Sequence, residues 1–194
     1  MPNAAEILSD EDLMKLASEG SRSAFETLVQ RWDRAVLGYF QRFTGNAEWS
    51  RDLRQELFFR LFRARETYQP GKKFTPWLYR MAHNLAVDLV CRRKSREQHV
   101  EREELEARLE QVDEHARREV WEQEVVRLLS NAMRFLDEDE RTILILKHYE
   151  HITFEEIAGV LDCPVSTVKT RMYRSFAKLR RYFRRQGVDL SSFV

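Results

Sequence analysis

Between Cys163 and Gln186 the chain carries eight basic residues and no acidic one. Wound as a helix, this stretch gathers Val168, Met172, Phe176, Leu179 and Phe183 on one side. Ser166, Thr167, Thr170, Tyr173, Arg174 and Arg181 take the opposite side, with Lys169 and Arg171 on the flanks. A helix lying in a DNA major groove needs this division: Arg pairs bidentately with guanine, hydroxyls bond bases or phosphates, and Lys neutralises phosphate. A second polar strip, Arg80, Asn84 and Asp88, recurs at every fourth residue, with His83 and Cys91 beside it. Asn and Asp do not neutralise phosphate, but they can bond base edges. Just upstream, Tyr68, Phe74 and Trp77 are interleaved with Lys72 and Lys73. Aromatics amid lysines suit unstacked single-stranded bases; Phe74 and Trp77 would serve equally well as plain core.

A third group, Asp52, Gln55 and Glu56, sits beside Phe58, Phe59 and Phe62. Carboxylates in a basic block are poorly placed against phosphate and well placed against a basic protein surface. The three additional aromatics imply either packing on two sides or a partner surface. Catalytic chemistry finds no comparable grouping. His148 and His151 form an isolated HxxH, there is no Gly-rich phosphate loop, and no Ser/His/Asp or Cys/His arrangement has other support. No metal, no cofactor and no enzymatic activity are expected.

Helical periodicity supplies the elements that must hold these groups. Phe25, Leu28, Val29, Trp32, Val36, Tyr39, Phe40 and Phe43 recur at spacings of three and four, predicting a helix over 23–43 closed by Thr44-Gly45-Asn46. A second helix is predicted over 47–67, with Leu53, Leu57 and Leu61 as its inner stripe, before Gln69-Pro70-Gly71 breaks the chain. Thr75-Pro76 reads as an N-cap and first helical residue, starting a third helix that runs to about Lys94. From Ser95 to Glu119 charge dominates, as in a solvated linker. Periodicity returns at Trp121, Val125 and Leu128, and Asp137 with Glu140 can cap a helix carrying Ile143, Leu144 and Leu146. Thr153-Phe154-Glu155-Glu156 is a capping box, flanked by Ile152 and Ile157 at the staple positions. The short turn Asp162-Cys163-Pro164 then leads into the basic helix, so the pair reads as a helix-turn-helix.

The overall balance of 33 basic and 32 acidic residues conceals segregation. Residues 25–94 carry 14 basic against 7 acidic side chains and residues 141–194 carry 10 against 5, while 95–140 carry 7 against 15. Two basic blocks separated by an acidic one suggest a polyanion touched at two places. With 43% apolar residues, six Gly and four Pro, the composition suits a helical protein with real cores. No apolar run approaches the ~18 residues of a membrane span. The N-terminus has no basic-then-apolar signal pattern, and two cysteines suit a reducing cytoplasm. The expectation is an all-α chain of two small domains: 1–95, then a charged linker over 96–119, then 120–194 with the helix-turn-helix.

Taken together, WSRDLRQELFFRLFRARETYQPGKKFTPWLYRMAHNLAVDLVCRRK resembles region 2 of bacterial RNA polymerase sigma factors. LDEDERTILILKHYEHITFEEIAGVLDCPVSTVKTRMYRSFAKLRRYF resembles their region 4, and the compact length resembles the extracytoplasmic-function (ECF) group. The resemblance implies a promoter-specificity subunit acting in the cytoplasm. Its partners would be core RNA polymerase, through the β′ clamp helices and β flap, promoter DNA, and an anti-sigma factor. Asp52, Gln55 and Glu56 match the clamp-docking motif. Tyr68, Lys72, Lys73, Phe74 and Trp77 match the strand-melting loop and helix start. Arg80, Asn84 and Asp88 lie on the matching −10 helix, and Ser166, Thr167, Lys169, Thr170, Arg171, Tyr173 and Arg174 on the −35 helix. Arg51 and Arg54 depart from the acidic or small apolar residues common in the family, and Asp162 stands where Gly is common. The competing readings are an autonomous helix-turn-helix regulator, which needs no melting loop, and a nucleic-acid enzyme, which would need clustered inward-facing carboxylates for metal.

Overall fold

The computed structural model describes residues 8–69, 71–97, 128–129 and 131–187, and all regular structure among them is helical. In chain order the helices are α1 (Asp10–Ser18), α2 (Arg22–Thr44), α3 (Ala47–Ala64), α4 (Phe74–Glu97), α5 (Glu138–His148), α6 (Phe154–Leu161) and α7 (Val165–Arg185). A 3-10 turn at Arg65–Thr67 ends α3, and residues 131–134 are helical ahead of α5. Helix α4 runs through Arg96 and Glu97, the first two residues of the expected linker; the rest of it, 98–119, with Trp121 and Val125, lies outside the described residues.

Each start has a local cause. Ser9, Ser21 and Asn46 cap α1, α2 and α3, each side chain accepting from a backbone N–H of the first turn. Asp137/Glu140 and Thr153/Glu156 form complete capping boxes on α5 and α6, as the sequence predicts. The α2–α3 corner is tightly built. Gly45 closes α2 in the left-handed region at φ 66°, and Thr44 Oγ1 donates to the Phe40 carbonyl at 2.9 Å. Thr44 Oγ1 also accepts from the Asn46 amide at 3.1 Å, and Ser50 Oγ donates to the Asn46 carbonyl at 2.6 Å.

Two elements differ from expectation. Helix α1 carries too few apolar residues for a periodic signal, yet it buries Leu13, Met14 and Ala17, and its Asp10 accepts from Arg31 at 2.6 Å and Trp32 Nε1 at 3.1 Å. Helix α4 starts at Phe74 rather than at Pro76, because Glu11 of α1 accepts from the Phe74 amide at 2.9 Å. Pro76 still falls in the first turn, where an amide donor has no intrahelical use.

Tyr39, Phe40, Phe43, Phe74 and Tyr79 are fully or almost fully buried and make an aromatic core with Trp32, whose ring lies 5.9 Å from both Phe74 and Tyr79. Leu53, Leu57 and Leu61 of α3 close it from one side. The core does not stop at the expected domain boundary. It continues into Ile143, Ile145 and Leu146 of α5, Ile157 and Val160 of α6, and Val168 of α7. Burying each large side chain contributes roughly 1.5–3 kcal/mol.

Candidate nucleic-acid interface

The helix-turn-helix is assembled by local sequence. Asp162 takes the left-handed conformation at φ 52°, ψ 48°, which Asp reaches more readily than most residues, and Pro164 precedes the first turn of α7. Val168 is buried, and Met172, Leu179 and Phe183 are half-buried on the same side. Lys178 fixes α7 to the start of α5 by reaching Glu140 at 2.6 Å, which raises the Lys178 pKa. The opposite face is open: Ser166, Lys169, Thr170 and Arg174 are exposed, and Tyr173 is 70% exposed. Thr167 is half-buried. Arg171 differs from the rest, being ion-paired with Asp139 of α5.

On α4, Arg80, Asn84 and Asp88 are exposed along one strip, as spacing predicts. Lys72 and Lys73 are exposed in the loop before it. Two of the aromatics require correction as stacking surfaces. Phe74 has no exposed area and Tyr68 is 6% exposed, because Phe74 packs inward against Trp32 and Tyr68 packs against Phe74 and Trp77. The Tyr68 hydroxyl donates to the Lys72 carbonyl and so pins the loop. Trp77 remains half-buried and lines an open cleft of about 510 Å³ with Tyr68, Lys72, Lys73 and Arg80.

On α3, Asp52 and Gln55 are exposed. Asp52 and half-buried Glu56 share a shallow depression of about 270 Å³ with Arg60, Arg92 and Arg93, so the patch carries mixed charge. Glu56 accepts from Arg60 at 2.7 Å, and Arg93 stacks 3.5 Å over Trp49. The extra aromatics divide: Phe58 packs on the core, while Phe59 and Phe62 are 55% and 43% exposed. Arg54, a departure from the family pattern, has a structural partner, donating to both carboxylate oxygens of Asp33 at 3.1 Å.

Sequence reading missed the polar groups that join the two halves. The Thr142 hydroxyl lies between Tyr39 Oη at 3.0 Å and His83 Nδ1 at 2.9 Å, all three buried. His83 Nε2 is 3.3 Å from Asp139, and this bond, with Arg171, holds the Asp139 carboxyl below its ordinary pKa. Arg141 is 5% exposed and, among the described residues, donates to carbonyls: Met133 at 2.9 Å, Phe43 at 3.0 Å, Leu136 at 3.1 Å and Arg134 at 3.4 Å. The only advance signal was a polar pair, Arg141-Thr142, opening an apolar run.

A helix-turn-helix with an open basic face, joined to a helical half bearing a second polar strip and a lysine-aromatic cleft, defines a two-site DNA-binding protein. Known proteins agree. Family models for Sigma-70 region 2 and for Sigma-70, region 4 match residues 28–97 and 127–179. An RNA polymerase sigma-H factor of Pseudomonas aeruginosa is 32% identical over 173 residues, covering 86% of this chain and 89% of that protein. An ECF RNA polymerase sigma-E factor of Haemophilus influenzae is 30% identical over 177 residues, covering 88% and 93%. The solved structure of CnrH, in complex with the cytosolic domain of CnrY, matches with a TM-score of 0.69 at 23% identity over 89% of this chain and 95% of that one, a likeness of fold. The chain belongs to the RNA polymerase sigma factors of the ECF group.

Proposed function

We infer that this chain is the promoter-specificity subunit of RNA polymerase, binding core enzyme in the cytoplasm and directing initiation through a −35 and a −10 contact. The observation that carries the reading is the open polar face of α7 above a docked apolar face, with Thr170, Tyr173 and Arg174 free to enter a groove. Ser166, Thr167, Lys169 and Arg171 complete the −35 contact, Arg171 after leaving Asp139. Arg80, Asn84 and Asp88 read the −10 element, and the cleft at Trp77, Lys72 and Lys73 receives an unstacked base, with Tyr68 and Phe74 as its supports. Asp52, Gln55 and Glu56, beside exposed Phe59 and Phe62, face the β′ clamp helices of core polymerase. An anti-sigma factor that covers these surfaces is the expected inhibitor. The role needs no catalytic group from this chain.

Run-off transcription with and without core polymerase tests the reading. Gln55→Ala with Glu56→Arg should leave helical content unchanged by circular dichroism and weaken core binding in a pull-down, with promoter-specific transcript falling in step. If the parent chain binds promoter DNA alone and never binds core, it is an autonomous regulator. If the double variant binds core normally, the patch is ordinary solvated surface.

A further inference from the structure

Three successive carboxylates open α1, and each has a different task. Asp12 accepts from the Ser9 hydroxyl at 2.7 Å, at the start of its own helix. Asp10 reaches α2, accepting from Arg31 and from Trp32 Nε1. Glu11, half-buried, crosses to α4 and accepts from the Phe74 amide at 2.9 Å, 63 residues away in sequence. The first turn of a helix has backbone donors with no intrahelical partner. A side-chain oxygen on the preceding residue ordinarily takes one of them, and Lys73, which precedes α4, has no such oxygen. Glu11 supplies that cap from another helix, and its charge suits the positive end of α4.

Phe74 is the joint at which the lysine-aromatic loop meets α4. Its ring, fully buried, lies 5.9 Å from Trp32, 6.4 Å from Tyr68 and 6.1 Å from Trp77. The loop before it is closed on itself: the Lys72 amide donates to the Gln69 carbonyl at 3.2 Å, and the Tyr68 hydroxyl donates to the Lys72 carbonyl. Its placement is therefore decided at its two ends, and Glu11 fixes the end that starts α4. The carboxylates of α1 act on the other end too: after burial, the charges of Glu11 and Asp10 raise the Tyr68 pKa. Leu13 and Met14, with no exposed area, seat α1 on the core by a separate apolar contact.

We propose that Glu11 is a positioning residue for strand opening: without touching DNA, it fixes the first turn of α4 so that Trp77, Lys72 and Lys73 meet the unstacked base together. This rests on the sigma-factor reading above and adds to it a residue that contacts neither core enzyme nor DNA. A purely stabilising Glu11 would bring equal losses on every promoter. A positioning Glu11 brings a loss confined to promoters that must be opened. Pocket contacts offset the cost of unstacking a base, and a template whose −10 segment is already unpaired has no such cost to offset.

The test is Glu11→Ala in the full chain with core polymerase, on a duplex promoter selected from random DNA and on the same promoter with a mismatched −10 segment. On the duplex, permanganate-reactive thymines and run-off transcript should fall about two- to thirtyfold, the loss of an N-cap of about 0.5–2 kcal/mol at tenfold per 1.36 kcal/mol. On the mismatched template, transcript should stay within about twofold of the parent. Glu11→Gln keeps an oxygen for the Phe74 amide but not the charge, so it should recover about half of the loss or more on a logarithmic scale. Ser9→Ala removes a cap from α1 itself and should leave opening as in the parent. In the free chain, exchange of the Phe74 amide should quicken by the same factor in Glu11→Ala and stay unchanged in Ser9→Ala. Equal losses on both templates, an unchanged duplex signal, a Gln variant as poor as the Ala variant, or a Ser9→Ala loss equal to that of Glu11→Ala overturns the proposal. A parent chain with no promoter-specific transcript on either template refutes the sigma-factor reading and the proposal with it, while Phe74 exchange still reports the bond. If Glu11→Ala fails to fold, Glu11→Asp carries the test. It keeps the charge and draws the oxygen back by one methylene, and duplex opening equal to the parent's then overturns the proposal.

Discussion

Replacing Arg141 with Met should be among the most damaging single changes outside the apolar core. The guanidinium is buried, and its hydrogen-bond acceptors among the described residues are all carbonyls. Its charge is met by carbonyls, Met133 and Leu136 on its own side and Phe43 near the end of α2. Carbonyls at helix ends carry partial negative charge, which stabilises a cation there by up to ~2 kcal/mol in partly buried geometry. Burial lowers the Arg141 pKa and the charges of Glu138 and Asp137 nearby oppose that, but an Arg remains charged in a folded protein, so the cation stays and the carbonyls bond it. Met fills a similar volume without donors and strands the three nearest carbonyls. An unsatisfied buried acceptor costs about 1–3 kcal/mol, and the lower end applies where a carbonyl keeps a helical bond as well. The expected loss is about 3–5 kcal/mol, a fall in Tm of roughly 6–20 °C at this chain length. Arg141→Lys should cost less, keeping the charge but reaching fewer carbonyls. Urea unfolding followed by circular dichroism measures both. A Met variant within 1 kcal/mol of the parent would show that water replaces the guanidinium and that it does not clamp the halves.

Arg174→Ala should weaken −35 duplex binding by the holoenzyme by ~1–3 kcal/mol if the guanidinium pairs bidentately with a base, as fluorescence anisotropy would report; unchanged affinity places the DNA on another face. Asp139 and Glu156 both have lowered pKa values, chiefly through their bonds to His83 and Lys73. A carboxylate depressed on folding stabilises fully above its unfolded pKa of about 4 and loses that effect as pH falls through the lower folded value. The stability contributed by these carboxylates, read by urea unfolding, should therefore be constant at neutral pH and fall below about pH 4, with Asp139→Asn flattening the response. Gly45→Ala places a Cβ in the left-handed region at φ 66° and should cost about 1–2 kcal/mol in urea unfolding.

What the sequence made legible was local. Thr153 and Glu156 cap α6 because the bonds span three residues, and Asp162 turns left-handed for reasons contained in its own side chain. The polar face of α7 follows from helical period alone. What stayed hidden depends on chain segments brought together from afar. Tyr39 and Thr142 are 103 residues apart, and nothing beside either marks the other. Tyr68 and Phe74 read as a platform for bases because the ring that draws Phe74 inward, Trp32, lies two helices earlier, and Tyr68 follows Phe74. Helix α1 carries too few apolar residues for a periodic signal, although Ser9 followed by Asp10, Glu11 and Asp12 is the signature of a helix start.

The α2–α3 corner has a mechanical consequence. With Gly45 turning the backbone and the Thr44, Asn46 and Ser50 bonds bracing it, the two helices form a stiff elbow with no free torsion between them. The Phe43 carbonyl held by Arg141 lies at the bend itself, one residue before the end of α2, and Phe59 and Phe62 lie far out on the other arm. The seam between the two halves is thus fastened at the pivot of the elbow, and the orientation of the exposed Phe59 and Phe62 is referred directly to it.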